Sequence, residues 1–281
     1  MKHIIRTVKL IISLLVFFYD FVTGWVLSLF GIDNATCVIL YYHTVYAKEK
    51  EAFARQMDDL LRWTKPIALN EIGLLKSGGR YCSVTFDDGF ACILKNALPL
   101  LSTRHIPATL FVPSGFLGQK PSWLREGHTD HNNVVMTKLQ LNSLDKKFVL
   151  IGSHGRTHQN LLQINADDAK KEIIESKKEL ENILNTPIEA ISFPHGGFNQ
   201  THVDMAVQAG YRQAYSIEPE QIYCGSGTFL RGRVKADPSD WHIEFCLKLF
   251  GAYRWLPKAF AIKKRFLQLL YLISCHNDKH V

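Results

Sequence analysis

Two adjacent carboxylates and two histidines are the residues of this 281-residue chain best suited to chemistry. Asp87 and Asp88 end the apolar run Tyr81-Cys82-Ser83-Val84-Thr85-Phe86 and are followed by Gly89. Successive strand residues point to opposite faces, so the two acids can share one site only where the strand gives way to a turn, which Gly89 permits. His154 and His158 close a second run, Phe148-Val149-Leu150-Ile151-Gly152-Ser153, and stand four residues apart. On a helical turn or in a compact loop, that spacing lets both imidazoles converge on one ion. Two acids beside such nitrogens can divide the work, one holding a metal while the other moves protons.

The elements that must position these groups are short apolar strands separated by helical patterns. Strand candidates are Thr36 to Tyr42, Tyr81 to Phe86, Ala108 to Val112, Phe148 to Ile151, Ala190 to Phe193 and Gln213 to Ile217. The clearest helix runs from Ala166 to Leu184, with Asn165 as N-cap and Asp168 three residues later. Its apolar face is Ala169, Ile173, Leu180 and Leu184, and its charged remainder, including Lys170, Lys171, Glu175 and Lys178, faces solvent. Alternating strands and helices predict a parallel sheet, and α/β barrels gather their chemistry at the C-terminal ends of strands, where both motifs fall. The long, weakly periodic stretch from Ser114 to Lys147 is expected to cover or border the cleft. Within it, His128, Asp130 and His131 read as loop residues, and Cys82, inside an apolar strand, reads as core.

Thr85-Phe86-Asp87-Asp88-Gly89, Ser153-His154-Gly155-Arg156-Thr157-His158 and Phe193-Pro194-His195-Gly196-Gly197-Phe198-Asn199 occur in that order. Together they resemble the motifs of the NodB-like polysaccharide deacetylases, carbohydrate esterase family four, over roughly residues 36 to 255. The resemblance implies an α/β fold, a distorted, incomplete (β/α) barrel. It also implies removal of N-acetyl groups from amino sugars of a bacterial polysaccharide or lipid-linked glycan. By position it makes Asp88, His154 and His158 the ligands of a divalent ion, Zn²⁺ first, and Asp87 the general base. The oxyanion falls to the turn Pro194-His195-Gly196, through the His195 N–H, since proline has none.

The chain departs from the family pattern in places. The late Leu-x-His motif has no convincing counterpart: His276 lacks a preceding strand, whereas His43 ends the strand Val38-Ile39-Leu40-Tyr41-Tyr42 and is the candidate proton donor. This Tyr-His start resembles the branch that includes the poly-N-acetylglucosamine deacetylases. No Arg precedes the third motif to orient the base, which leaves Arg231, Arg233 or no residue in that role. Asp237-Pro238-Ser239-Asp240-Trp241 spells a fourth family motif or starts a helix. These departures keep open a catalytically degenerate glycan-binding member, or a deacylase acting on O-acetyl esters or another acyl amide.

A composition of 47% hydrophobic and 21% charged residues supports a sizeable globular core. The net charge of +7 suits an anionic partner, yet no nucleic-acid motif is present and the clearest basic clusters lie near the two ends. Leu10 to Gly31 is almost wholly apolar or small, follows Lys2, Arg6 and Lys9, and carries one charge, Asp20. It is long enough for the ~20 residues of a membrane span, though a central Asp costs about 2.5 to 3.5 kcal/mol there. No small-residue cleavage site follows it. Residues 256–281 begin with Lys258, Lys263, Lys264 and Arg265 among aromatic and aliphatic residues, an amphipathic pattern suited to an anionic membrane surface. The chain therefore divides into a membrane-associating segment (1–33), a catalytic domain (34–255) and a basic amphipathic helix (256–281). Cys37, Cys82, Cys92, Cys224, Cys246 and Cys275 form no Cys-x-x-Cys pair and read as free thiols. That favours the cytoplasmic face of a bacterial inner membrane.

Overall fold

The computed structural model describes residues 2–32, 35–75, 78–223, 225, 227–263 and 265. Among them, ten strands form one sheet: β1 (Thr36–Tyr42), β2 (Lys65–Pro66), β3 (Arg80–Phe86), β4 (Ala108–Val112), β5 (Val149–Ser153), β6 (Ala190–Ser192), β7 (Gln213–Tyr215), β8 (Ile222–Tyr223), β9 (Leu230–Arg231) and β10 (Val234–Lys235). The order β10-β1-β3-β4-β5-β6-β7-β9 is parallel throughout, with β2 added beside β3 and β8 antiparallel to β1. The edge strands β9 and β10 are joined by Gly232 and Arg233, and no ladder links them among the described residues. The sheet is thus a (β/α) barrel left open along one seam.

Helices wrap the outside. They are α1 (Lys2–Leu29), α2 (Lys50–Trp63) after β1, α3 (Cys92–Asn96) and α4 (Leu98–Ser102) after β3, α5 (Lys138–Asn142) before β5, α6 (Ala166–Leu184), α7 (Gln200–Gln208) and α8 (His242–Leu249). Strand alternation separates two cores. On β1, Val38, Leu40 and Tyr42 pack outward with Phe53 and Met57 of α2, while Cys37 and Ile39 point into the barrel with Phe111 and Tyr215. Burying an aliphatic or aromatic side chain in this way contributes about 1.5–3 kcal/mol each, which makes these cores the main stabilising term.

The predicted bounds of β1, β4 and α6 agree with the structure. Asn165 caps α6 by accepting the Asp168 N–H at 2.9 Å, and Ala169, Ile173, Leu180 and Leu184 are buried. The strand expected to stop at Ile151 runs on through Ser153, with Gly152 passing so near Phe111 that a Cβ there would lie 2.5 Å from its ring. The turn falls instead at Gly155, whose φ is +73°. The third-motif strand stops at Ser192, and the seventh at Tyr215, each short of its apolar run. A helix covers residues 256–263 of the predicted C-terminal helix, while 266–281, with His276 and Cys275, and also Cys224, lie outside the described residues.

Candidate active site

The acids meet at the end of β3 because the backbone reverses earlier than Gly89. Asp88 itself adopts φ +66°, followed by Gly89 at +60°, where a Cβ would come 2.9 Å from Val112. Left-handed geometry is unusual outside glycine, although Asp is among the residues that tolerate it. It is what brings two neighbours, both buried, to one site. The histidines leave β5 through a compact loop, in which His158 also has a positive φ, +60°. Glu172 of α6 holds that loop: its carboxylate accepts the N–H groups of Arg156 (2.9 Å) and Thr157 (2.8 Å) and the Thr157 hydroxyl (2.5 Å).

Asp88, His154 and His158 each present a ligand atom within 4.8 Å of the others, and all three are buried. His158 Nε2 lies 3.0 Å and His154 Nε2 3.8 Å from Asp88 Oδ1. The His154 contact is too long for a hydrogen bond and the His158 contact is not aligned as one, so Oδ1 is buried with no hydrogen-bond partner. An orphaned carboxylate oxygen facing two ring nitrogens suits a cation, because a buried charge left uncompensated is expensive. His154 Nδ1 lies 2.8 Å from the Ser192 carbonyl, which can only accept; the proton therefore sits on Nδ1 and the Nε2 lone pair faces the site. Burial, helped by His158, pushes His154 down to about 4 against the pull of Asp87 and Asp88, so its imidazole is neutral at neutral pH. Burial opposes ionisation of Asp88, but His158, His43 and His154 together hold its carboxyl below the usual range. Trp123, from the stretch expected to border the cleft, stacks on His158 at 4.3 Å. The residues present fit a divalent cation with three protein ligands.

Asp87 is held differently. Arg233 donates to both of its oxygens, at 2.7 and 2.8 Å, and also to Thr85 Oγ1 (3.0 Å) and Ser192 Oγ (2.6 Å). Its guanidinium lies between the rings of Tyr41 and Phe111, 4.8 and 5.0 Å from their centroids, and is fully buried. It enters from the seam between β9 and β10. Of the two candidate arginines, Arg233 is thus the one paired with Asp87. Burial would raise the Asp87 pKa, but Arg233, then His154 and His43, bring it down to about 2, so the carboxylate stays ionised.

The remaining predicted residues sit around this centre. His43, half-buried at the end of β1, lies edge-on to Tyr41 and close enough for its charge to act on both carboxyls. His195 has φ +57°, and its ring stands 4.6 Å from that of His158. In its turn, Gly196 and Gly197 donate to Phe193 and Pro194, leaving the His195 N–H without an acceptor among the described residues. His128 and His131 stay outside the Asp88, His154 and His158 cluster, and Asp130 instead accepts from Thr44, Tyr46 and Asn133, tying the long loop to the segment that follows β1. The Asp237–Trp241 segment starts a helix, with Trp241 as the N-cap of α8. Reading the sequence missed Glu172, Ser192 and Trp123 as supports of the site. Glu172 carried a usable signal, being the lone acid in the buried stripe Ala169, Ile173, Ser176 and Leu180.

Residues 75–214 match the family model described as Polysaccharide deacetylase. This chain belongs to the NodB-like polysaccharide deacetylases. Among its deacetylase relatives, Bacillus subtilis (strain 168) YxkH, a putative polysaccharide deacetylase, is 25% identical over 228 residues, covering 76% of this chain and 75% of the relative. A poly-beta-1,6-N-acetyl-D-glucosamine N-deacetylase of Staphylococcus aureus (strain MRSA252) is 24% identical over 216 residues, covering 70% and 71%. The deacetylase barrel recurs in IcaB from Ammonifex degensii, with TM-score 0.64 and 20% identity over 77% of this chain and 97% of that one. It recurs again in Streptococcus pyogenes deacetylase PplD, with TM-score 0.61 and 20% identity over 73% and 93%.

Proposed function

We propose that this deacetylase is a metal-dependent hydrolase that removes N-acetyl groups from the amino sugars of a bacterial glycan. The observation that carries the reading is the unpartnered Asp88 oxygen facing two imidazoles, beside a second carboxylate kept ionised by Arg233. Asp88, His154 and His158 would hold a divalent ion, Zn²⁺ first, whose chemistry there would be that of a Lewis acid toward the acyl carbonyl and water. Asp87 accepts the proton of the attacking water, and Arg233 keeps its carboxylate aimed and charged. As the acyl carbon becomes tetrahedral, the His195 N–H donates to the developing oxyanion. His43, at the rim, gives its proton to the leaving amine as the C–N bond breaks, releasing acetate and a free amino sugar. The staphylococcal relative's name supports an N-acetylglucosamine polymer as the substrate, in solution or linked to a membrane lipid.

Acetate release from N-acetylated amino-sugar oligosaccharides, measured with and without chelator, tests this. The expected result is release that chelation abolishes and a divalent ion restores. Release from O-acetyl esters alone changes the bond assigned, and no release from any amino-sugar substrate favours a glycan-binding member.

The reading extends to location, with residues 1–33 and 256–281 attaching the catalytic domain (34–255) to the cytoplasmic face of a bacterial inner membrane. Residues 3–29 are long and apolar enough to cross a membrane, with mean hydropathy 2.1, and Cys37, Cys82, Cys92 and Cys246 are free thiols. A topology reporter fused after Val281 should report the cytoplasm, and a signal from the outer side contradicts the assignment.

A further inference from the structure

The inner face of α1 is committed to the catalytic domain. Arg6, Ser13 and Asp20 stand seven residues apart, two turns each, and so line one side of the helix. Arg6 Nε donates to Glu244 at 2.7 Å, Trp255 Nε1 donates to the fully buried Ser13 hydroxyl at 3.0 Å, and Arg254 donates to both oxygens of Asp20. Between them, Leu10 and Phe17 pack on the core, with the Phe17 ring 4.9 Å from Phe250. The charge that made a membrane span costly is neutralised by the domain itself.

The outer face is the reverse. Ile11, Leu15, Phe18, Val22 and Trp25 follow a four-and-three spacing, Ile4 stands two turns before Ile11 on the same side, and each is between 53% and 68% exposed. Lys9 lies 5.8 Å from the Phe260 ring, which brings the exposed basic residues Lys258, Lys263 and Arg265 alongside α1.

We propose that α1 lies flat in the surface of an anionic bilayer, its outer stripe among the acyl chains and its inner stripe still gripping the domain. This rests on the membrane reading above and is independent of the reaction. Length decides against a crossing helix: Arg6 to Asp20 rises ~21 Å, and the ~14 Å of α1 beyond Asp20 cannot traverse a hydrocarbon core of ~30 Å. Crossing would require all three polar contacts to break, leaving Asp20 unpaired in lipid. Charge decides against a second copy as occupant, because it would bring like basic clusters together, whereas anionic headgroups complement them.

Flotation of the full chain with phosphatidylglycerol-containing vesicles, against phosphatidylcholine alone, tests the proposal. The expected result is at least tenfold stronger binding to the anionic vesicles, lost by at least tenfold in Leu15→Ser/Phe18→Ser/Val22→Ser with an unchanged circular dichroism spectrum. An N-terminal epitope tag on vesicle-bound protein should stay digestible from outside, on the same side as the domain. Asp20→Arg should free α1 for proteolytic clipping, and adding Arg254→Asp should restore its protection. A tag protected inside the vesicle overturns the flat geometry and spares the membrane reading. No binding to either vesicle overturns both, and a stripe-dependent dimer in its place assigns the face to a second copy.

Discussion

The barrel mouth and the outer face of α1 depart from ordinary burial in opposite directions. At the mouth, Asp87, Asp88, His154, His158 and Arg233 are between 0% and 6% exposed, whereas Leu15, Phe18 and Trp25 on α1 are more than half exposed. Charged groups are seldom fully buried unless paired, and large exposed apolar stripes mark interaction surfaces. The two regions differ in how far the chain satisfies its own groups. At the mouth nearly everything is answered internally: Arg233 meets Asp87, Ser192 meets His154 and Glu172 meets the loop, which leaves Asp88 Oδ1 and His158 Nδ1. Along α1 the polar side is answered by the domain and the apolar side by nothing among the described residues. Each unanswered feature points to a partner from outside, a cation in one case and a membrane in the other.

The comparison breaks most completely at the ligands. His154→Ala should reduce bound divalent metal, measured by elemental analysis, to background and abolish acetate release; retained metal would place the ion elsewhere. His43→Ala should lower kcat by about 10²–10⁴-fold while metal content stays near normal, and loss of metal instead makes it a ligand. Arg233→Met should lower kcat by about 10²-fold through misplacement of the base. It also removes the main charge opposing burial, so the Asp87 pKa climbs from about 2 and the acid limb of the kcat/KM profile moves to higher pH. An unmoved limb separates Arg233 from the base. Glu172→Ala should weaken metal affinity by about 10–100-fold in competition titrations, the loss typical of a residue that orients ligands. Unchanged affinity would mean that the loop keeps its shape unaided.

The residues that were legible in the sequence are those whose signal is local. β1, β4 and α6 stand out as uninterrupted apolar runs or a capped amphipathic pattern, and the convergence of Asp88, His154 and His158, the candidate ligands, by type, spacing and position after a strand. What was not legible depends on distant contacts. The sequence offers Arg231, Arg233 or no residue beside the base, and what selects Arg233 is its contact with Asp87 from 146 positions away, across a seam that exists only once the sheet has curled round. Glu172 stands out by its place on the apolar stripe of α6, but what it holds shows only when the loop of Arg156 and Thr157 folds against it. Asp20 looks misplaced in an apolar run until Arg254, 234 positions on, is beside it. The reversal at Asp88 is a backbone effect: Gly89 announces a turn, but only the fold assigns its first left-handed residue.

The central claim is that the two neighbouring acids hold separate roles, one as ligand and one as base. Asp87→Asn, assayed in one preparation for divalent metal content and for acetate release from N-acetylglucosamine oligomers, tests it most directly. The account predicts metal at the wild-type level with kcat lower by about 10²–10⁴-fold. Loss of the metal along with activity, or activity retained without the carboxylate, would contradict it.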